Sequence, residues 1–505
     1  MKSLRQIIST IFLAISLTVL SAEEPPVVHS AVGDVASSKP QVLRITNIGK
    51  RQQYSSNEAS TFDRDIFSPK SATFSPDGRR FYVNSLEGCK TVVYDTDSLH
   101  KCATVTYSFT AGDSIRTAPL SGYYPFTHYP GGQKRSYMGK PVESSWSHKG
   151  RYLWVPFYRR TFDINAQDPS AIAVVDAVTD SVIRIFETGP LPKMVATSNN
   201  GNLIAITHWG DNTVGFIDIT GNEPAKWHHL SPVTIGYKLK LNYPVSGTHV
   251  NRDSNSGYLL RGTVFTPDDR YLLVSGMAGP LQVIDVSEGK HIGSINSLYG
   301  LRHIVIADGY LYGTHNTSGR IYKANLDSIV SAIDQAKLDN KKTITPGGDI
   351  KNVKVGGGAR TLAASPDGKL LFVACNSASA VYVVNAQTME VVDNIRCDSY
   401  PVGLALSPDG RYMAVTSQGR SGRGGNALNI FRIERPDESP QETEKAESRG
   451  DCGSTSLNVT ADDGSKLPET ASELTNQSFL DKFINVIRVL LTLPEKAAKA
   501  IVAVF

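Results

Sequence analysis

The sequence predicts an all-β fold of repeated sheets closed into a ring. Three observations predict it. One tight-turn phrase recurs: Ser75-Pro76-Asp77-Gly78, Ser365-Pro366-Asp367-Gly368 and Ser407-Pro408-Asp409-Gly410 are identical, and Thr266-Pro267-Asp268-Asp269 is a near copy. Each copy sits between two short apolar runs, as a β-hairpin requires. With their altered versions between them, these turns recur at spacings of about 40–70 residues, the mark of a repeat fold. Aligned on the turn glycine or its equivalent, at Gly78, Gly150, Gly201, Asp269, Gly309, Gly368 and Gly410, the chain has seven repeats.

Within a repeat the order is strand, turn, strand, loop, strand, turn, strand. The sixth shows it best, with strands over 361–364, 370–374, 380–385 and 391–395. Third strands end in Asp or Asn after apolar residues, as in Val92-Val93-Tyr94-Asp95 and Val383-Val384-Asn385. Four β-branched-rich strands with turns between them describe a propeller blade, and seven of them a seven-bladed β-propeller. The seventh repeat has only three strands. Residues 42–49, Val-Leu-Arg-Ile-Thr-Asn-Ile-Gly, belong to no earlier repeat and read like a last strand. Pairing them with the last blade closes the ring and removes an exposed edge.

The phrase Pro401-Val402-Gly403-Leu404-Ala405-Leu406-Ser407-Pro408-Asp409-Gly410 resembles the strand–turn phrase of the YVTN family of β-propellers, which includes YncE-like secreted proteins. The resemblance covers residues 40–434. It implies the fold, WD40-like in its blades, and says little of function, because propellers host many activities. The phrase is rewritten at Ser147-His148-Lys149-Gly150 and Ser198-Asn199-Asn200-Gly201 and eroded at Ala307-Asp308-Gly309, so no family site carries over intact.

The two ends read differently. Lys2 and Arg5 precede an apolar run over 7–20, then Ser21-Ala22 and Glu23-Glu24, so residues 1–22 read as a secretory signal peptide and the protein as secreted or held in the cell envelope. Residues 435–477 are rich in Glu, Ser, Thr, Asp and Gly and read as a disordered linker. Residues 478–505 turn apolar on a helical period and read as an amphipathic helix. It suits peripheral membrane or partner contact, or packing back on its own domain.

Composition is that of a globular chain: 40% hydrophobic, 20% charged, with a net charge of +4 that is too small by itself to imply nucleic acid. The cysteines Cys89, Cys102, Cys375, Cys397 and Cys452 have no metal or disulfide spacing, and buried thiols are expected more than bridges.

The residue eight before each turn glycine enters the first strand of its blade, which lines the central channel. These are Lys70, Val142, Lys193, Arg261, Arg302, Arg360 and Val402, with a one-residue gap allowed at Arg302. The cations should converge at the upper mouth, with Glu143 as the one obvious acidic neighbour. Such a ring suits a carboxylate, phosphate or sulfated group, with arginine giving bidentate contacts. Alternatively it is a solvated rim neutralised by water and counterions. Loops on the same face add Tyr158, Arg159, Arg160, His208, Trp209 and His315, and His303 starts a strand beside Arg302. The insertions 111–141 and 229–260 join blades there as well. Aromatics with Arg and His suit a sugar, an aromatic acid or a nucleotide. Trp209 could equally pack between blades, and Asp211 cap a turn.

No Gly-x-Ser-x-Gly elbow, His-Glu-x-x-His site, Walker loop or haem motif occurs, so no catalytic residue, metal ligand or cofactor is assigned. The leading expectation is a non-catalytic propeller that binds an anionic small molecule, a glycan or a protein partner at the mouth. The alternatives are a lactonase-like envelope hydrolase using His208 and His315, and nucleic-acid binding through the basic mouth. A helix over 326–337 should project from the opposite face.

Overall fold

The computed structural model describes residues 28–53, 61–126, 136–239, 252, 256–419 and 424–435. The residues read as a signal peptide, those read as a linker beyond Arg435, those read as an amphipathic helix, and Cys452 lie outside the described residues. So do His128, Tyr129, Lys134 and Arg135 of the first insertion, residues 240–251 and 253–255 of the second, and Arg420 to Arg423.

Seven antiparallel sheets follow one another along the chain. Blades 1, 3, 4, 5 and 6 are four-stranded meanders whose first strands are Pro69–Phe74, Pro192–Thr197, Leu260–Phe265, His303–Ala307 and Ala359–Ala364. Blade 7 runs Pro401–Leu406, Tyr412–Ser417 and Ala427–Glu434, and its outer strand is the N-terminal Arg44–Gln52. Closure is therefore as expected, with the strand placed slightly later than 42–49. Ile45 lies opposite Ile433, and a register shift between Asn47 and Gly49 bends the strand. Ile45 is fully buried in a cluster with Phe372, Val381 and Ile395 of blade 6 and Phe431 of blade 7. One blade cannot bury both its faces, and the core lies between blades.

A second lock holds the closure. Val28 accepts from and donates to Ser399, and the buried ammonium of Lys50 lies 3.0 Å from Asp398.

The recurring phrase forms the lower turns. In blade 1 Ser75 Oγ donates to Asp77 Oδ1 at 2.6 Å, Arg79 N–H donates to the same carboxylate, and Gly78 takes φ +73°. Ser365 and Asp367, Ser407 and Asp409, and Thr266 and Asp268 repeat the hydroxyl–carboxylate bond. Asp269 takes the glycine's place at φ +56°, a conformation that Asp tolerates better than most residues.

Blade 2 is the irregular one, with six strands. Its inner edge is split. Tyr137–Pro141 pairs with the upper part of Tyr152–Arg160, and Ser145–Ser147 with the lower part. Val142 and Glu143 fall in the gap.

The helix α1, Leu326–Leu338, is capped by Asn325, whose side chain accepts from Ser328 N–H. It does not project freely. Leu326, Ile329, Ile333 and Ala336 are buried in a cluster with Leu273, Val283 and Ile295 of blade 4, and Lys337 reaches Asp285 at 2.6 Å. Cys89, Cys375 and Cys397 are buried free thiols, as expected. Cys102 is not among these free thiols.

Candidate functional site at the channel mouth

The backbone presents the mouth residues in the same way in most blades. The ladder between first and second strands slips between Pro69 and Ser71, Pro192 and Met194, Leu260 and Thr263, Ala359 and Leu362, and Pro401 and Gly403. The residues left out of register include Lys70, Lys193, Arg261, Arg360 and Val402. A bulge re-aims a side chain that regular pleating would send into the sheet face. Two residues earlier the chain is left-handed each time: Ser68 (φ +50°), Leu191 (+51°), Leu259 (+55°), Gly300 (+71°), Gly358 (+77°) and Tyr400 (+61°). A leucine in this region is sterically costly, and such strain persists only where the surroundings enforce it.

Hydrogen bonds from the preceding blade pin the same positions. The carbonyl of Val142 accepts from Ser71 Oγ at 2.6 Å, that of Arg261 from Thr207 Oγ1 at 2.9 Å, that of Arg360 from Thr314 Oγ1 at 2.7 Å and that of Val402 from Thr361 Oγ1 at 2.7 Å. The carbonyl of Arg302 accepts from Gly262 N–H at 3.1 Å. A hydroxyl on one blade thus fixes the mouth residue of the next.

The structure brings Lys70, Lys193, Arg261, Arg302 and Arg360 together. The first four are over nine-tenths buried, and Arg360 is partly buried. Burial, then Arg360, Arg261 and Arg302, push the Lys70 amine well below its usual value, with Glu143 opposing. Burial, then Arg261, Arg302, Arg360 and Arg159, do the same to Lys193. Burial lowers Arg261 and, with the neighbouring guanidinium groups, Arg302; Arg360 falls to about 10 for the same reasons. Three arginines come from the consecutive blades 4, 5 and 6, and the two lysines flank Glu143 from blades 1 and 3.

Glu143, rather than the aligned Val142, occupies the position in blade 2, because the split inner edge frees it to turn inward. Its carboxylate acts on Lys70, Arg261, Arg360 and Arg302, and Oε1 lies 3.4 Å from Arg261 Nη2. Burial nonetheless holds its pKa above the usual value. Tyr400 hydrogen-bonds Arg360. Arg302 has a different neighbour: Nη1 sits 2.8 Å from Met277 Sδ, and its buried Nε has no acceptor. The Nε of Arg360 is likewise buried without an acceptor.

Next to the cations lies a small apolar shelf. Leu191 and Trp209 pack with Tyr158, Leu259 and Met277. Lys193 Nζ lies 3.9 Å from the Tyr158 ring centre and 4.9 Å from that of Trp209. Trp209 is thus both inter-blade packing and a wall of the mouth. Arg159 stacks 5.4 Å from Tyr158 and donates to the Ile164 carbonyl.

Arg160 and His208 are placed otherwise than the sequence suggested, and His315 and His303 are held by hydrogen bonds of their own. Arg160 points away from the mouth, since alternate residues of a strand face opposite ways. Its guanidinium lies between Tyr137 (4.4 Å) and Phe126 (4.7 Å) and donates to the Ser170 carbonyl, securing the first insertion. His208 is fully buried inside blade 3. Gly189 N–H donates to Nε2 at 3.1 Å, and Nδ1 donates to Thr213 Oγ1, which donates to Asp211. Burial drives its pKa down to about 3. His315 is held by Ser318, whose N–H and hydroxyl meet Nδ1 at 3.2 and 3.0 Å. His303 lies beside the arginines, with Nδ1 accepting from Leu362 N–H at 3.3 Å and a pKa near 3 from burial and from Arg261 and Arg302. Among the described residues no three His, Cys, Asp or Glu side chains are grouped as metal ligands would be.

Tyr400 and Met277 were missed by sequence reasoning. Tyr400 was findable by position, two before Val402 as Ser68 is two before Lys70. Its reach to the neighbouring blade was not. Met277 follows a second strand and carries no signal of its own.

No family model matches the chain. A segment is 27% identical over 180 residues to antigen Lp49 of Leptospira interrogans serogroup Icterohaemorrhagiae serovar copenhageni, covering 31% of this chain. The match spans 36% of that relative's length. Hydrazine synthase of Kuenenia stuttgartiensis is similar in structure over 72% of this chain and 95% of its own, at 15% identity and a TM-score of 0.50. The β-propeller domain of Myceliophteria thermophila Cps50 (Swd1) covers 73% of this chain and 97% of its own, at 12% identity and a TM-score of 0.47. At 15% identity the likeness to hydrazine synthase speaks for the fold alone, and with the seven sheets it makes the chain a seven-bladed β-propeller.

Proposed function

We propose that this protein is a secreted or cell-envelope propeller of the YncE-like kind that binds an anion at its channel mouth without catalysing a reaction on it. One observation carries the reading. Four cationic side chains, Lys70, Arg261, Arg302 and Arg360, act on one carboxylate with Lys193 beside the arginines, and the buried Nε atoms of Arg302 and Arg360 have no acceptor. Buried like charges repel, and the bulges, left-handed residues and inter-blade hydroxyl bonds hold them there in spite of it. An anion with several oxygens would satisfy the idle donors. The hydrolase reading loses support, because His208 and His315 are each engaged within their own blade. The envelope location rests on the signal-like residues 1–22, and mass spectrometry of the mature N-terminus would test it.

The test of the site is a variant with Arg261, Arg302 and Arg360 all replaced by Ala. The wild type should gain thermal stability with sugar acids, dicarboxylates or phosphate, and the folded variant should gain none. Equal responses in both would remove the reading. Tight oligonucleotide binding that falls steeply with salt would replace it with nucleic-acid recognition.

A further inference from the structure

The arginines of the mouth are not equivalent. Arg261 is turned to Glu143 and Arg360 to Tyr400, both oxygen partners. Arg302 lies between them in blade order. It contacts the thioether of Met277, its Nε is idle, and it is over nine-tenths buried. The same Met277 belongs to the shelf with Leu259, Leu191, Trp209 and Tyr158. An anchoring cation and an apolar surface therefore meet at one methionine. A small hydrated anion would use the first and leave the second in contact with water.

We propose, resting on the anion-binding reading, that the mouth takes an amphipathic carboxylate. Its carboxyl group sits on Arg302 between Arg261 and Arg360, and its apolar body lies along Met277, Leu259 and Tyr158. The planar guanidinium fork matches a planar carboxylate. Tyr158, Leu259 and Met277 are partly exposed and available to a ligand. The unbranched thioether of Met277 adapts to varied shapes.

The experiment is titration calorimetry of the full chain with butyrate, hexanoate, octanoate and decanoate, each below its micellar limit, and with octanol and inorganic phosphate. Affinity should rise roughly fourfold for each added methylene that is buried. Octanol, with the body but no charge, should not bind measurably. Arg302→Gln should abolish binding across the series, and Met277→Gln should flatten the dependence on chain length. The wild-type series alone decides the matter if either variant fails to fold. A flat series, with phosphate binding as well as decanoate, overturns the amphipathic ligand and leaves the anion site standing. Octanol binding as well as octanoate overturns the carboxylate anchor. No binding of any anion overturns both.

Discussion

Arg261 of blade 4 reaches back past the neighbouring blade to Glu143 of blade 2, with Nη2 3.4 Å from Oε1, the arginine buried and the glutamate largely so. This contact joins the arginine arc to the lysine pair. It places a negative charge among groups that would otherwise only repel.

Replacing Glu143 by Gln should therefore be among the most damaging isosteric changes in the chain. Breaking a buried pair leaves its partner uncompensated and costs roughly 3–5 kcal/mol. Urea denaturation at neutral pH should show the loss. Added anion should stabilise the variant more than the wild type, because it replaces the missing charge. A variant as stable as wild type would mean that Glu143 does not neutralise the cluster.

The lysines give a signed pH dependence. The folded-state pKa of Lys193 lies well below the ordinary 10.5, so between those values the unfolded chain holds more protons than the folded one. Stability then rises with pH up to about 10.5 and is flat above it. Lys193→Met should stabilise the protein by about 1–4 kcal/mol at neutral pH, as apolar replacement of buried charge often does. The advantage should shrink as the pH approaches that of free lysine. Denaturation curves of both proteins across pH 7–11 check it.

On the acid side the histidines act the same way. His208 and His303 are held near 3 and His229 near 4 by burial, all below the ordinary 6.5. Their stabilising neutrality is intact above 6.5 and is lost as pH falls below it, since unfolding then takes up protons. Asp211, raised to about 6 by burial, opposes this below pH 6. Proton uptake on unfolding at pH 5, measured calorimetrically in buffers of different ionisation enthalpy, should be positive and smaller in His208→Gln.

Closure can be tested with a truncation inside the core. Ile45→Ala removes a fully buried side chain at the seam and should cost roughly 2–5 kcal/mol. Val42→Ala, at a half-exposed position just before the closing strand, should cost well under 1 kcal/mol. Similar losses at both would place the seam elsewhere.

Much of this molecule was legible before any coordinates. The Ser-Pro-Asp-Gly turns carry their own geometry, because Ser75 and Asp77 bond each other and Gly78 supplies the positive φ. Counting back from those glycines found Lys70, Lys193, Arg261, Arg302 and Arg360, since equal strand lengths put equivalent residues at equal heights. Blade 2 defeated the count. Its inner strand is split, and Glu143 takes the place given to Val142. Arg160 and His208 look like surface groups in sequence and are buried, because local pattern does not say what an insertion covers. The bulges that aim the cations are set by paired strands and leave no mark in composition.

The seam has a bearing on when the protein becomes competent. Val28 and Ser399 are hydrogen-bonded across 371 residues of chain, and the outermost strand of the last blade precedes every other described strand in the sequence. Contacts this remote are slow to form, because the entropy of the intervening loop is lost before they contribute. The cationic mouth draws on blades 1 to 6 and on Tyr400 of blade 7, so a nascent or truncated chain lacks it. Capacity for the anion should emerge late and all at once, when the circle shuts.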